Sequence, residues 1–302
     1  MSNSTATTFP EFDLRSRLAA FAELTKIRIA VMVLFTFVVA GILAAGLDFD
    51  PLRLFYATIA MFLIAGSGNA MNMYLERYTD LLMPRTAGRP LPANRLGSME
   101  VVLFAAVSFG VSIGIFLTLV NWQTAVCGVI TWILYVCIYT PLKTKTIYNT
   151  EVGAIPGALP ILMGALATTG TIDPFTMMFF GVLLIWQFPH FMSIAWLYRD
   201  QYRQGGLKMI TCEDKQGVAT GRKAIVTCIL LIAVSCLPAL IFRTSIHAWL
   251  FVPAALACGW WYLSATLKFA ADTNDQTARK LLRTSVLYLP AYMLILVIAR
   301  LA

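Results

Sequence analysis

Nine apolar runs, near residues 27 to 46, 52 to 72, 101 to 120, 122 to 140, 152 to 170, 175 to 197, 223 to 242, 247 to 267 and 284 to 301, take up nearly the whole chain. A helix needs ~20 mostly apolar residues to cross a bilayer, and hydrocarbon tolerates only segments that satisfy their own backbone hydrogen bonds. The chain is therefore predicted to be an all-α, polytopic membrane protein, a bundle of nine transmembrane helices. With 59% hydrophobic and 13% charged residues it lies far from soluble composition. The longest polar intervals are the N-terminal 26 residues and those near 76 to 99, 199 to 222 and 268 to 283. We expect one membrane-embedded domain, 1–302, with residues 1–26 as a tail, and chemistry at the membrane.

Twenty of the 23 Lys and Arg residues fall on one side when alternate loops are assigned to opposite faces; Arg53, Arg243 and Arg300 make up the other. The positive-inside rule then predicts a cytoplasmic N-terminus and an external C-terminus, in the inner membrane if the source is bacterial. Much of the net charge of +8 is explained by this bias, without nucleic acid. The N-terminus lacks the pattern of a signal peptide, and Glu11 and Asp13 argue against a transit peptide. Six Cys, mostly inside spans and without C-x-x-C spacing, carry no disulfide or zinc signal.

The stretch Asn69 to Leu91, NAMNMYLERYTDLLMPRTAGRPL, holds the strongest chemical signal. Residues four apart on a helix share a face, so Asn72, Glu76 and Asp80 form an oxygen-rich stripe followed by Arg85 and Arg89. The stripe reads either as a polar helix end leaving the bilayer or as half of a metal-diphosphate site. Polar groups at membrane depth usually face a bundle interior or wet cavity. Arg forks suit phosphate. Lys143 and Lys145 fall in the next loop of the same face, before Glu151, a carboxylate suited to the helix N-terminus that opens span five. Span five carries Gly153, Pro156, Gly157, Pro160 and Gly164, and predicts a bent helix beside a cavity. Thr25 is placed to cap the first span. His190, after Pro189 in span six, is either a satisfied core histidine or a ligand; His247 is assigned no role. Asp200 then closes span six, followed by Tyr202, Arg203 and Lys208, which suggests two similar four-helix halves plus a ninth helix. The segments 213–223 and 272–283 read as solvated linkers.

Carboxylates at one face of a bundle could bind protons or sodium in an ion-coupled transporter, although such sites usually lie near the midplane. Mg²⁺ shares its shell between one or two carboxylates and substrate phosphates. Two acidic helix ends ringed by Arg85, Arg89, Lys143, Lys145, Arg203 and Lys208 suit a diphosphate with metal, its isoprenyl tail entering the bundle. Composition does not identify the acceptor.

The chain resembles the membrane prenyltransferases of quinone and heme synthesis, the UbiA superfamily. The resemblance rests on N-x3-E-x3-D with M-x-R-T-x2-R-P-L (Asn72 to Leu91), on Y-T-P-L-K with N-T and V-G-A-x2-G-A-x-P-x3-G (Tyr139 to Gly164), and on P-H-F with R-D-x-Y-x2-G-G (Pro189 to Gly206). The P-H-F and R-T-x2-R-P-L elements favour the heme branch over prenylation of an aromatic quinone precursor. The resemblance implies transfer of farnesyl from farnesyl diphosphate to a vinyl group of heme B with capture of water. It also implies Mg²⁺ held through Asn72, Glu76, Asp80 and Asp200, with Glu76, Asp80 and Asp200 catalytic, and heme contact by His190. Heme A synthase and cytochrome oxidase assembly factors are the protein partners it allows. Gln201 stands where the family usually has an acid, with Asp200 one residue earlier, and Thr144 stands where a second base is common.

Overall fold

The computed structural model describes residues 14–242 and 246–301, without the side chains of 246–248; the tail residues 1–13, Arg243 and the His247 side chain lie outside the described residues. A short helix, α1 (Leu14–Leu24), precedes nine long ones: α2 (Ile27–Ala45), α3 (Pro51–Leu81), α4 (Ser98–Val120), α5 (Trp122–Leu142), α6 (Asn149–Thr169), α7 (Pro174–Leu197), α8 (Val218–Leu240), α9 (Ile246–Ala271) and α10 (Asp275–Leu301). Among the described residues, nine helices are long and apolar enough to cross a membrane. The chain is an integral membrane protein.

Local chemistry sets the boundaries. Asp50 accepts hydrogen bonds from the backbone of Leu52 and Arg53 ahead of Pro51, and Asp173 does the same for Thr176 ahead of Pro174. Asn121 caps α5 through Thr124. Thr25 does not cap α2: its hydroxyl donates back to Ala22, and Lys26, at φ 51°, makes the sharp turn into the helix. Three boundaries lie well outside the apolar runs. α3 continues nine residues past 72, α8 begins at Val218 and α10 at Asp275, so much of both expected linkers is helix. Hydropathy marks where lipid ends, whereas hydrogen bonding lets a helix run on into polar surroundings.

Two apolar cores meet at α2 and α6. Phe37, Met163 and Ala167 pack with α3 to α5; Ala40, Leu43, Ala158 and Ile161 pack with α7 to α10. α6 is the most buried of the spans, and small residues let its neighbour approach: a Cβ on Gly164 would stand 2.1 Å from the Phe37 carbonyl oxygen. A third core joins Ala20 and Leu24 of α1 to α3, α4 and Leu91 and Leu96 of the following loop, fixing that loop over the end of the bundle.

Candidate active site

At 1.5 Å per residue the 31 residues of α3 reach about 46 Å, longer than the ~30 Å hydrocarbon core. Its last turns therefore carry Asn72, Glu76 and Asp80 to the polar end of the bundle, where Asn72 and Asp80 are buried and Glu76 nearly so. Each of the three is held by a cation from elsewhere. Lys26 donates to Asn72 Oδ1 at 2.8 Å, and Lys143 to Glu76 Oε1 at 2.6 Å. Arg89 Nη1 donates to both Asp80 oxygens at 2.9 and 2.7 Å, and stands 4.0 Å from Glu76. Asn72 Nδ2 donates to Thr140, which fixes the amide with its oxygen toward Lys26.

The cations differ electrostatically. Burial, reinforced by Arg89, pulls Lys26 down to about 7 against the opposing pull of Glu76. Burial acts on Lys143 in the same sense, but the adjacent Glu76 carboxylate and the tyrosines 139 and 135 outweigh it and raise its pKa above the ordinary lysine value. One lysine is thus poised between charge states while the other is firmly cationic.

A short helix after α7, Arg199–Gln204, meets Arg85. Arg85 lies 4.3 Å over the Tyr198 ring, its backbone donates to Gln201 Oε1, and its guanidinium reaches the Tyr202 hydroxyl at 3.5 Å. Burial raises the Tyr202 pKa, opposed by Arg85 and Lys143. Asp200 points elsewhere: it is exposed and pairs with Arg203, which also donates to the Cys212 carbonyl. A helical step of about 100° separates neighbours, so once Gln201 faces Arg85 the Asp200 side chain turns away. No group of three or more His, Cys, Asp and Glu suited to a metal assembles among the described residues. Lys145 and Lys208 have exposed side chains; the Lys208 backbone donates to Lys143 O at 2.7 Å and so ties the two loops together.

Behind the charged end lies a cavity of about 530 Å³. Lys143, Tyr139, Tyr135, Asn69 and Arg28 line it together with a long apolar wall that includes Met61, Trp132, Pro156, Pro160 and Leu289. Both prolines of α6 face this space, as expected of that span, although the helix continues through them. His190 lines the cavity too, its Nδ1 2.8 Å from Ser285 Oγ and its ring stacked on Trp186. Lys26, counted above only among the 20 Lys and Arg of one face, and the pair Tyr135 and Tyr139 were not among the expected site residues. Spacing could have found the tyrosines: 135, 139 and 143 repeat at four residues just as 72, 76 and 80 do. A π-helical segment, Leu134–Tyr139, carries them.

A family model, the UbiA prenyltransferase family, matches residues 33–289. The chain belongs to that family. It is 42% identical to the protoheme IX farnesyltransferase of Rhodopirellula baltica over 282 residues, covering 91% of this chain and 97% of the relative. Against the protoheme IX farnesyltransferase of Opitutus terrae it is 34% identical, with 95% and 96% covered. Among solved structures, a digeranylgeranylglyceryl phosphate synthase superposes with a TM-score of 0.76 at 16% identity, covering 94% of this chain and 99% of that one. A UbiA homologue from Archaeoglobus fulgidus bound to DMAPP and Mg²⁺ gives 0.65 at 13%, covering 90% and 98%. These last two likenesses show the shared helical fold; the family match and the relatives of 34–42% identity make the chain a prenyltransferase.

Proposed function

We propose that this prenyltransferase moves the farnesyl group of farnesyl diphosphate to a vinyl group of heme B, with addition of water, giving heme O. One observation carries the reading: Lys143 both holds Glu76 and lines the cavity, so a charged end and an apolar chamber form one continuous site. The relatives named protoheme IX farnesyltransferase supply the acceptor.

Diphosphate binds at the charged end, where Lys26, Lys143 and Arg89 exchange their protein carboxylate and amide partners for phosphate oxygens. Arg85 closes from the Tyr202 side. The donor set fits Mg²⁺: oxygen ligands on one helix face, already charge-compensated, which accept a hard cation once those basic groups turn to phosphate. Glu76 and Asp80, with Asn72, would hold it, and when bound it supplies Lewis-acid neutralisation of the departing diphosphate. As the C1–O bond breaks, the basic side chains take up the charge of the leaving group. The faces of Tyr135, Tyr139 and Trp132 stabilise the allylic cation, and the apolar wall limits access of water to it. The vinyl π electrons form the new C–C bond; water then adds to the resulting benzylic-type cation and loses a proton. We place this chemistry at the cytoplasmic face, following the distribution of Lys and Arg.

Expression in a host without its own synthase, followed by heme extraction, chromatography and mass analysis, is expected to yield heme O. A folded, membrane-inserted preparation that gives none, or that prenylates an aromatic acid instead, overturns the reading.

A further inference from the structure

Ser285, on α10, touches both rings of a two-ring stack. Its Oγ is 2.8 Å from His190 Nδ1, and its carbonyl oxygen accepts from Trp186 Nε1 at 2.9 Å. The rings themselves stack with centroids 4.9 Å apart and planes 20° from parallel. The serine hydroxyl has a single proton, and it donates this to the Leu282 carbonyl at 2.7 Å. With that proton on the carbonyl, Oγ is an acceptor toward His190, the arrangement in which Nδ1 carries the imidazole proton. In neutral histidine that makes Nε2 the lone-pair nitrogen, and Nε2 has no hydrogen-bond partner among the described residues. His190 and Trp186 both line the cavity.

We propose that Ser285 is a positioning residue that locks His190 in its Nδ1–H form, so that Nε2 serves as the axial ligand of an iron porphyrin in the cavity. This rests on the heme reading above and deepens it. An N–H held by a fixed acceptor sets the tautomer and plane of a metal-binding histidine and raises its basicity. Ligation would fix the heme plane, and with it which vinyl group meets the farnesyl C1.

The test uses the full-length protein in detergent, titrated with ferric heme B and followed by absorption and electron paramagnetic resonance. Wild type should give a nitrogen-ligated spectrum that His190→Ala abolishes. Ser285→Ala should weaken heme affinity by roughly 10- to 100-fold and broaden or mix the ligation state, with farnesyl diphosphate binding in Mg²⁺ unchanged by calorimetry. Ser285→Thr, which keeps the hydroxyl, should restore the spectrum. A Ser285→Ala spectrum and affinity equal to wild type would overturn the proposal, as would a His190→Ala spectrum equal to wild type. Loss of both ligands together in Ser285→Thr would mark Ser285 as structural and also overturn it. Heme O formation by wild type is read separately: product with a spectrum indifferent to His190 defeats the ligation and leaves the reaction standing, whereas nitrogen-ligated heme without product does the reverse.

Discussion

Asn72, Glu76 and Asp80 come from a single helix, yet the groups that hold them come from three other places: the turn before α2, the loop after α5 and the loop after α3. The site is therefore assembled from distant residues around a local stripe. Glu76→Gln leaves the Lys143 charge uncompensated and removes a carboxylate, and we expect heme O turnover to drop on the order of 10²–10³-fold, measured on purified protein at saturating substrates. Lys26 makes a pH prediction. Its pKa falls from the ordinary 10.5 to about 7 in the folded protein. Between these values the unfolded chain binds a proton that the folded chain does not, so stability rises with pH across that window; below about 7 the cost of burying the ammonium is felt in full. Thermal unfolding of the ligand-free protein from pH 6 to 10 should show that rise, and Lys26→Met should flatten it. An unchanged slope in the variant would exclude Lys26 as its source.

At the level of helices, α6 is the seam, and its glycines do two different jobs. A Cβ at Gly164 would meet backbone, the Phe37 carbonyl at 2.1 Å and the Gly41 nitrogen at 3.0 Å. Neither can swing aside, so Gly164→Ala should push α2 and α6 apart and cost about 1–3 kcal/mol, seen as a lower melting temperature in detergent. A Cβ at Gly157 would meet only the Gln187 side chain, its amide oxygen at 2.2 Å. That side chain can move, but it borders the cavity, so Gly157→Ala should raise KM for a substrate while leaving melting nearly unchanged. Equal melting losses in both variants would refute this division. The length of α3 belongs to this scale as well: a helix ending at residue 72, as hydropathy alone suggests, would have left Glu76 and Asp80 in a loop.

For the whole molecule, the position of a charged cluster at one mouth of an apolar chamber predicts a metal requirement. Excess EDTA should abolish turnover and added Mg²⁺ restore it; full activity in the chelator would remove the metal from the mechanism. Much of this architecture was legible in the chain. Nine apolar runs dictate a helical bundle, because hydrocarbon leaves the backbone no other open choice, and the four-residue spacing of Asn72, Glu76 and Asp80 dictates a shared face because helical periodicity is local. Arg89 and Lys143 could be named as basic residues near that face, but not matched to Asp80 and Glu76. Lys26 and Ser285 had no distinguishing pattern at all, and Asp200 read as an acid of the site until the facing of Gln201 turned it to solvent. Sequence by itself determined what is periodic and what must avoid lipid. Only tertiary structure decided which cation meets which oxygen and which hydroxyl meets His190, since those contacts depend on how separate helices are rotated against one another.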